Sequence, residues 1–164
     1  MRVVVQRVSE GSVVIDGNVY SKITRGYVVL LGIRKGDTEQ DAVFLADKCA
    51  SLRVFEDEQG KMNLNLNDVD GSALVISQFT LYGNAQKGNR PNFVDAARPE
   101  EAEPLYELFV QRMRSRLGEE RVYSGLFRAM MDVDLLNKGP VKILIESPEQ
   151  PDNEFGTRLR GRTR

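Results

Sequence analysis

The decapeptide ALVISQFTLY, Ala73–Tyr82, is the stretch on which the interpretation of the whole chain depends. Its first four residues form a continuous apolar run, so the pattern predicts a buried strand over Ala73–Tyr82. The run ends in a serine, a glutamine, a phenylalanine and a threonine, and a Gly83-Asn84 loop follows. Polar side chains at the end of a buried strand are typical of functional sites at the lip of a sheet. The alternative is a strand whose last residues simply meet solvent.

Composition limits the chemistry available to the chain. The protein has 164 residues, 41% hydrophobic and 29% charged, which is typical of one globular domain. It contains no histidine, and this excludes Ser-His-Asp and Cys-His nucleophile systems, histidine-ligated zinc and imidazole acid–base catalysis. A hydrolase with this composition must use backbone donors, hydroxyls, carboxylates, lysines or groups of its substrate. The net charge of −1 argues against non-specific nucleic-acid binding through an overall positive field.

The single cysteine and the apolar runs indicate where the protein works. Cys49 excludes an internal disulfide and indicates a reducing compartment. Because it lies on the apolar face of a predicted helix, we interpret it as a core thiol and not as a nucleophile. The longest apolar runs have only the length of strands, so no membrane span is predicted. Met1-Arg2 leads directly into a strand without a hydrophobic leader, and we expect a cytoplasmic protein.

Periodicity predicts a mixed α/β domain. One helix is capped by Asp37 or Thr38. The other runs from Pro99 to Leu117 with Gly118 as its stop, and Pro104 either kinks its first turn or delays its start to Glu103. Asp16-Gly17 predicts a hairpin turn. The remaining apolar runs predict strands at Val3–Val8, Gly11–Ile15, Asn18–Ile23, Gly26–Ile33, Leu52–Phe55, Met62–Leu66, Arg121–Tyr123, Met131–Leu136 and Val141–Ile145.

Two segments outside these elements carry positive charge. The loop of residues 83–92 contains Lys87 and Arg90 and no acidic residue, so we expect contacts with phosphate groups there; an ordinary exposed turn is the alternative. Residues 148–164 form an arginine-rich tail whose composition predicts disorder. An acidic turn at residues 56–61 is interpreted as a solvated turn and not as a metal site.

Two segments about sixty residues apart together resemble the signature motifs of D-aminoacyl-tRNA deacylases. These are Ser77-Gln78-Phe79-Thr80-Leu81 and Asn137-Lys138-Gly139-Pro140-Val141. The pair at this separation is a specific signal, unlike either fragment alone. The resemblance extends to about Ser147, and it also includes Val5-Gln6-Arg7-Val8, Asn63-Leu64, Arg90-Pro91-Asn92-Phe93, Ala96-Ala97 and Gly125-Leu126-Phe127.

The resemblance implies a three-layer α/β/β domain over residues 1–147, a homodimer, and no cofactor or metal. It implies hydrolysis of the ester that joins a D-amino acid, or mischarged glycine, to the terminal ribose of tRNA, so the partner is aminoacyl-tRNA. In that family the Gly-Pro peptide is cis and enters the pocket of the partner subunit, and the equivalent of Arg7 braces the motif. The substrate-binding and chirality-filter residues implied in this way are Gly139, Pro140, Asn137, Arg7 and Met131.

The catalytic residues implied are Ser77, Gln78, Phe79 and Thr80, and their chemistry suits an activated ester. Backbone N–H groups around Gln78–Thr80 would form an oxyanion hole. Without histidine, the proton shuttle is either the Thr80 hydroxyl or the ribose hydroxyl beside the ester. We favour the ribose hydroxyl, because nothing in the sequence marks a base for Thr80. Gly139 and Pro140 carbonyls facing the substrate Cα would collide with an L side chain and accept any D side chain.

Four residues depart from the family's usual pattern: Lys138 and Lys142 around the Gly-Pro pair, and Arg128 and Met130 after Phe127. They bear on substrate preference and tRNA contacts more than on the type of reaction. The alternatives are a deacylase of the same fold with shifted specificity, against which the presence of Ser77 counts, and a catalytically silent RNA-binding or dimerisation module. A metal-dependent hydrolase is a more distant alternative.

Overall fold

The computed structural model describes residues 1–149 and shows one mixed α/β domain. The tail predicted at residues 148–164 lies almost entirely outside the described residues. No helix within residues 1–149 is long and apolar enough to cross a membrane. The elements are β1 Arg2–Ile15, β2 Asn18–Ile23, β3 Gly26–Gly32, α1 Glu39–Ser51, β4 Phe55–Glu56, β5 Met62–Leu64, β6 Ser72–Ser77, α2 Pro99–Leu117, β7 Val122–Ser124 and β8 Asp132–Glu146, with short 3-10 helices at Phe79–Tyr82 and Glu119–Arg121.

The main sheet has the order β2-β1-β3-β6-β7, and β8 pairs with β1 as well. The strands β3 and β6 are parallel, in register from Gly26 opposite Ser72 to Leu31 opposite Ser77. The crossover between them contains α1, and the crossover from β6 to the parallel strand β7 contains α2. The carboxyl ends of β3 and β6 therefore meet at one edge of the sheet, where ligand sites of α/β folds commonly form.

β1 is one strand of 14 residues, so the predicted break at Ser9-Glu10 is wrong. The strand continues because the strand that pairs with it changes along its length, while its own direction does not. Residues 2–8 pair with β3, residues 11–15 pair with β2, and β8 pairs with residues 2–14. The Asp16-Gly17 hairpin turn that connects β1 to β2 is confirmed, and both residues have positive φ angles.

The sheet buries side chains on both faces. One core includes Val29, Val75 and Phe109, and it joins the sheet to the two helices. The other core includes Val28 and Leu74, which point to the opposite face, together with Val13. Successive residues along β3, and along β6, thus point into different cores, as the period-2 alternation of strands requires. This double burial explains why both strands are nearly uniform apolar runs.

Both helices begin where the sequence predicts. Thr38 is the N-cap of α1, and its N–H donates a hydrogen bond of 2.8 Å to the Asp41 carboxylate. The helix α2 begins at Pro99 and continues through Pro104, so the predicted delay to Glu103 is wrong. Gly118 ends α2 with a φ of 100°. The interpretation of Cys49 as a core thiol is confirmed, since it is completely buried and burial raises its pKa to about 12.

Three predicted strand boundaries are wrong. The strand predicted over Ala73–Tyr82 ends at Ser77 and is followed by the 3-10 helix Phe79–Tyr82. The strand predicted over Leu52–Phe55 is reduced to Phe55–Glu56. The predicted strands Met131–Leu136 and Val141–Ile145 belong to one strand, β8, which continues through Asn137 and Pro140 because β1 pairs with it on both sides of the Gly-Pro pair.

Candidate active site

A cavity of about 750 Å³ opens at the carboxyl ends of β3 and β6. Its walls come from the two strand ends, the segment of residues 93–102 that leads into α2, and the loop of residues 127–131 before β8. The predicted site residues that line it are Ser77, Gln78, Phe79 and Met131. A concave, mainly apolar cavity with a few polar groups at a strand edge is the usual form of a small-ligand site.

The backbone changes conformation immediately after Ser77. The Gln78 N–H still donates to the Leu31 carbonyl at 2.8 Å, which continues the parallel pairing by one residue. Gln78 then adopts φ −141° and ψ 82°, and the chain turns into the 3-10 helix. The Gln78 N–H is therefore occupied, and the predicted oxyanion hole at Gln78–Thr80 reduces to the N–H groups of Phe79 and Thr80. Neither of these has a hydrogen-bond partner among residues 1–149, as expected for the first turn of a helix.

Thr80 lies on the outer side of this turn and does not line the cavity. Its Oγ1 accepts a hydrogen bond from Nε2 of Gln78, whose side chain does line the cavity. Within residues 1–149 no carboxylate, amine or other base contacts the Thr80 hydroxyl through a hydrogen bond. The Thr80 hydroxyl is thus oriented by an amide and lacks an activating base.

Two phenylalanines stand at the mouth of the cavity. The rings of Phe79 and Phe93 pack edge to face, with centroids 5.1 Å apart, and Phe79 is 56% exposed. An exposed aromatic pair of this kind can hold an apolar or aromatic part of a ligand. Phe93 was not predicted as a site residue; its presence in the Arg90-Pro91-Asn92-Phe93 string was the only signal that could have found it.

Met131 owes its place in the cavity wall to a glycine on the preceding loop. A Cβ on Gly125 would lie 2.8 Å from the Met131 Sδ, so a larger residue there would displace the thioether.

Tyr106 packs against the cavity residue Phe127, and its hydroxyl donates to the Val75 carbonyl at 2.9 Å. Burial raises the pKa of Tyr106 to about 12, so the phenol stays neutral and acts as a structural donor at neutral pH.

The second motif protrudes from β8 at a different place. Gln6 pairs with Lys142 and Val8 pairs with Asn137, so four residues of β8, 138–141, lie opposite the single residue Arg7 of β1. The surplus residues bulge out of the ladder. The Gly139-Pro140 peptide bond is cis, and Gly139 has a φ of +130°, which favours glycine.

Arg7 connects the base of this bulge to the domain. Its Nε donates to the Lys138 carbonyl at 2.8 Å, and a terminal nitrogen donates to the Val54 carbonyl at 2.6 Å. Arg7 is 7% exposed, and its guanidinium also lies 3.8 Å from the Glu56 carboxylate. A Cβ on Gly139 would lie only 2.6 Å from the guanidinium, so the glycine and the arginine fit together closely.

The structure therefore separates the predicted site residues into three groups. Ser77, Gln78, Phe79 and Met131 share the cavity, with Thr80 beside it. Gly139 and Pro140 lie in the bulge on β8, Asn137 precedes it on the same strand and Arg7 faces it from β1, and none of these four lines the cavity. Lys87 and Arg90 are exposed in a hairpin-like loop that is closed by pairing of Asn84 with Asn92. Cavity residues that the sequence did not reveal include Lys35 and Arg98, since they lie far apart along the chain, whereas Arg128 was noted only as a departure from the family's pattern.

Within residues 1–149 no group of three or more cysteine, aspartate and glutamate side chains is placed to hold a metal ion.

Comparison with known proteins connects this geometry to a family. A model of the D-Tyr-tRNA(Tyr) deacylase family matches residues 4–146. The D-aminoacyl-tRNA deacylase of Thermus aquaticus is 55% identical over 153 residues, which are 93% of this chain and 99% of the relative. That of Brevibacillus brevis is 55% identical over 147 residues, 90% of this chain and 100% of the relative.

Solved structures with a similar fold agree with this family assignment. One described as a c-Myc DNA unwinding element binding protein superposes with a TM-score of 0.86 at 42% identity, covering 91% of this chain and all of that one. A probable eukaryotic D-amino acid tRNA deacylase superposes with a TM-score of 0.75 at 17% identity, covering 88% of this chain and 98% of that one, and this similarity concerns the fold.

These matches define the class first: the protein is a carboxylic ester hydrolase of the D-aminoacyl-tRNA deacylase type. More narrowly, the chain belongs to the D-Tyr-tRNA(Tyr) deacylase family.

Proposed function

We propose that this protein hydrolyses the ester between a D-amino acid, or mischarged glycine, and the 3′ ribose of tRNA, and that it rejects L-amino acids with a Gly139-Pro140 filter from a second subunit. One observation carries the proposal. The cavity that holds Ser77–Phe79 contains no residue of the Gly139-Pro140 bulge, although the bulge projects from the same chain. A site that needs both motifs must therefore be completed by another copy.

The free edge of β8 supports a homodimer in which three-layer α/β/β subunits contact each other. Within the described residues, β8 pairs only with β1, so one edge of a 15-residue strand has no partner. Leu136 and Leu144 on this strand are 57% and 61% exposed. The Asn137 Oδ1 is buried and has no hydrogen-bond partner among residues 1–149. A long exposed edge with apolar side chains and an unsatisfied acceptor suits a protein–protein contact.

The turn that follows Ser77, from Gln78 into the 3-10 helix, supplies electrostatic stabilisation. Ester hydrolysis passes through a tetrahedral oxyanion, and the N–H groups of Phe79 and Thr80 are backbone donors beside the cavity that have no partner within residues 1–149. One well-placed donor of this kind contributes a factor of roughly 10²–10³ in rate. Because the ester of an aminoacyl-tRNA is activated, the leaving ribose requires little further assistance.

The ribose hydroxyl next to the ester carries the proton in this proposal. Thr80 lacks an activating base, and its hydroxyl already accepts a hydrogen bond from Gln78. A neighbouring hydroxyl of the substrate is held at the reacting ester by the substrate's own covalent geometry. Thr80 then orients Gln78, and Gln78 contacts the substrate.

Chirality is selected by steric exclusion. Carbonyls of Gly139 and Pro140 from the partner subunit face the substrate Cα, where an L side chain would meet them and a D side chain would point away. Arg7 holds the Lys138 carbonyl and keeps the bulge in place. Because backbone atoms make this exclusion, it does not depend on which D side chain the substrate carries. That suits a proofreading enzyme with many D-aminoacyl substrates.

The first experiment compares release of tyrosine from D-Tyr-tRNA and L-Tyr-tRNA. We expect hydrolysis of the D ester alone. A D-Tyr-tRNA ending in 2′-deoxyadenosine, acylated on its 3′ hydroxyl, is the matched substrate that lacks the neighbouring hydroxyl, and its hydrolysis should slow by roughly 10²–10⁴ if that group moves the proton. Hydrolysis of both enantiomers would point to shifted specificity. Binding of tRNA with release from neither ester would identify a silent RNA-binding module and refute the proposal.

Hybrid dimers test the cross-subunit filter. One subunit carries Ala129→Trp, which fills the cavity, and the other carries Gly139→Ala, which perturbs the filter. In the hybrid, the active-site cavity is open only in the Gly139→Ala subunit. That cavity receives its Gly139-Pro140 filter from the Ala129→Trp subunit, in which the filter is intact. We expect the hybrid to reject L-Tyr-tRNA as the wild type does, whereas the Gly139→Ala homodimer does not. Equal loss of rejection in both would place the filter within one subunit.

A further inference from the structure

The cavity has a cationic rim formed by Lys35, Arg98 and Arg128, and none of its lining residues is acidic. The three cations come from separate parts of the chain: the loop after β3, the N-cap of α2 and the loop after β7. The whole chain has a net charge of −1, so this concentration of positive charge is local. An aqueous cavity lined by charges of one sign attracts ligands of the opposite sign.

The cations of this rim are also free to bind. Within residues 1–149 none of the three has an ion-pair partner. By contrast, Arg112 is bound by Asp47 and Arg7 by backbone carbonyls. The rim is therefore not accounted for by structural ion pairs of the fold.

Arg128 is held in an unfavourable backbone conformation. Its φ is +67°, in the left-handed region that a glycine or an asparagine occupies at less cost. A long cationic side chain is thus placed at the cavity in spite of the backbone, which points to a binding role for its guanidinium.

The other walls of the cavity favour a nucleic-acid phosphate as the anion. Arg98 and Pro99 place the N-terminal end of the 19-residue helix α2 at the cavity, where its dipole is positive. Glu100 and Glu101 in the first turn offset part of this field but do not line the cavity. The exposed Phe79 ring stands at the same mouth, and cations beside exposed aromatic rings are typical of sites for single-stranded nucleic acid.

We infer that the rim of Lys35, Arg98 and Arg128 binds the phosphodiester that precedes the terminal nucleotide of the substrate tRNA, with Arg128 as the direct phosphate contact. This inference rests on the proposed function, because it names the part of the tRNA that the same cavity reads. Arg128 would then be a binding residue for the single-stranded end and would be indifferent to the amino acid.

A phosphate-free substrate tests the assignment. D-tyrosyl-adenosine carries the same ester on the same nucleoside but no phosphate. For Arg128→Gly, which suits the positive φ, we expect the ratio of kcat/KM on D-Tyr-tRNA to kcat/KM on D-tyrosyl-adenosine to fall roughly 10-fold. The slope of log kcat/KM against log salt for the tRNA should become shallower by roughly 0.7. Arg128→Lys should recover part of the ratio, and Lys22→Ala, an exposed cation on β2, should leave it unchanged.

Three results would overturn the inference. The first is an equal loss on both substrates, because a contact with phosphate cannot affect a substrate without one. The second is a loss of activity on D-Asp-tRNA, assayed alongside, with no loss on D-Tyr-tRNA. That result would show that the guanidinium binds an acidic amino acid side chain. The third is an unchanged ratio with an unchanged salt slope. Failure of the proposed function is distinct from all three, since the wild type itself would then cleave neither ester.

Discussion

Substitution of Gly139 by alanine tests the geometry on which the chirality filter depends. The φ of +130° lies where L residues are strained, and this strain costs on the order of 1–3 kcal/mol. The new Cβ would also lie 2.6 Å from the Arg7 guanidinium. Either Arg7 moves, losing hydrogen bonds to the Lys138 and Val54 carbonyls worth roughly 1.5–3 kcal/mol each, or the bulge moves. Because the less costly movement will prevail, we expect a total loss of about 2–4 kcal/mol.

Thermal unfolding and paired deacylation measure the two consequences. At about 2–4 °C per kcal/mol for a chain of this size, the unfolding midpoint should fall by roughly 4–16 °C. Displacement of the bulge should also raise hydrolysis of L-Tyr-tRNA relative to D-Tyr-tRNA, since the carbonyls no longer meet the L side chain. Single-turnover assays with both esters, at a temperature where the variant is folded, give this ratio.

Gly36 provides the matched control. Its φ is +85°, and a Cβ there would meet nothing within 4 Å, so Gly36→Ala introduces strain without a collision. We expect a smaller fall in the midpoint and no change in the D/L ratio. If Gly139→Ala lowers the midpoint no further than this control does and keeps the wild-type ratio, the reasoning from the Arg7 contact is refuted.

Three more predictions follow from single contacts. Thr80→Val removes a hydroxyl that no base activates, so kcat on D-Tyr-tRNA should fall by less than about 10-fold; a loss near 10⁴ would assign the proton to Thr80. Arg7→Met should lower the unfolding midpoint by roughly 4–12 °C and relax L rejection, whereas Arg53→Met, which removes one exposed arginine–carbonyl bond, should change neither by a comparable amount. Asp47→Asn should lower the midpoint by only about 1–4 °C at pH 7, because the Asp47–Arg112 pair is partly exposed. The hydrogen bond from Arg112 lowers the pKa of Asp47, so this stabilisation is present above the unfolded pKa near 4 and is lost as pH falls through the lower folded value; a difference from wild type that does not shrink as pH falls below 4 would contradict it.

Local sequence was sufficient for the helices and for the location of the strands, though not for many strand boundaries, because these signals are short-range. The N-cap Thr38, the terminating Gly118 and the Asp16-Gly17 turn each act through their own backbone. The errors occurred where a distant partner overrides local preference. Ser9-Glu10 continues β1 because β8 pairs across that point, and the strand of Ser72–Ser77 ends where the pairing with β3 ends.

By itself the sequence excluded histidine-based catalysis and supplied the Ser77–Leu81 and Asn137–Val141 segments, whose resemblance to a known family implied the reaction class. These are properties of composition and of order along the chain. Only the tertiary structure decided that these motifs do not line one cavity within a single chain, that Arg7 fits against Gly139, and that Arg128 stands beside a cavity with Lys35 and Arg98. The physical reason is that a register shift between β1 and β8 and the meeting of two parallel strand ends are long-range pairings. No local window of residues contains them.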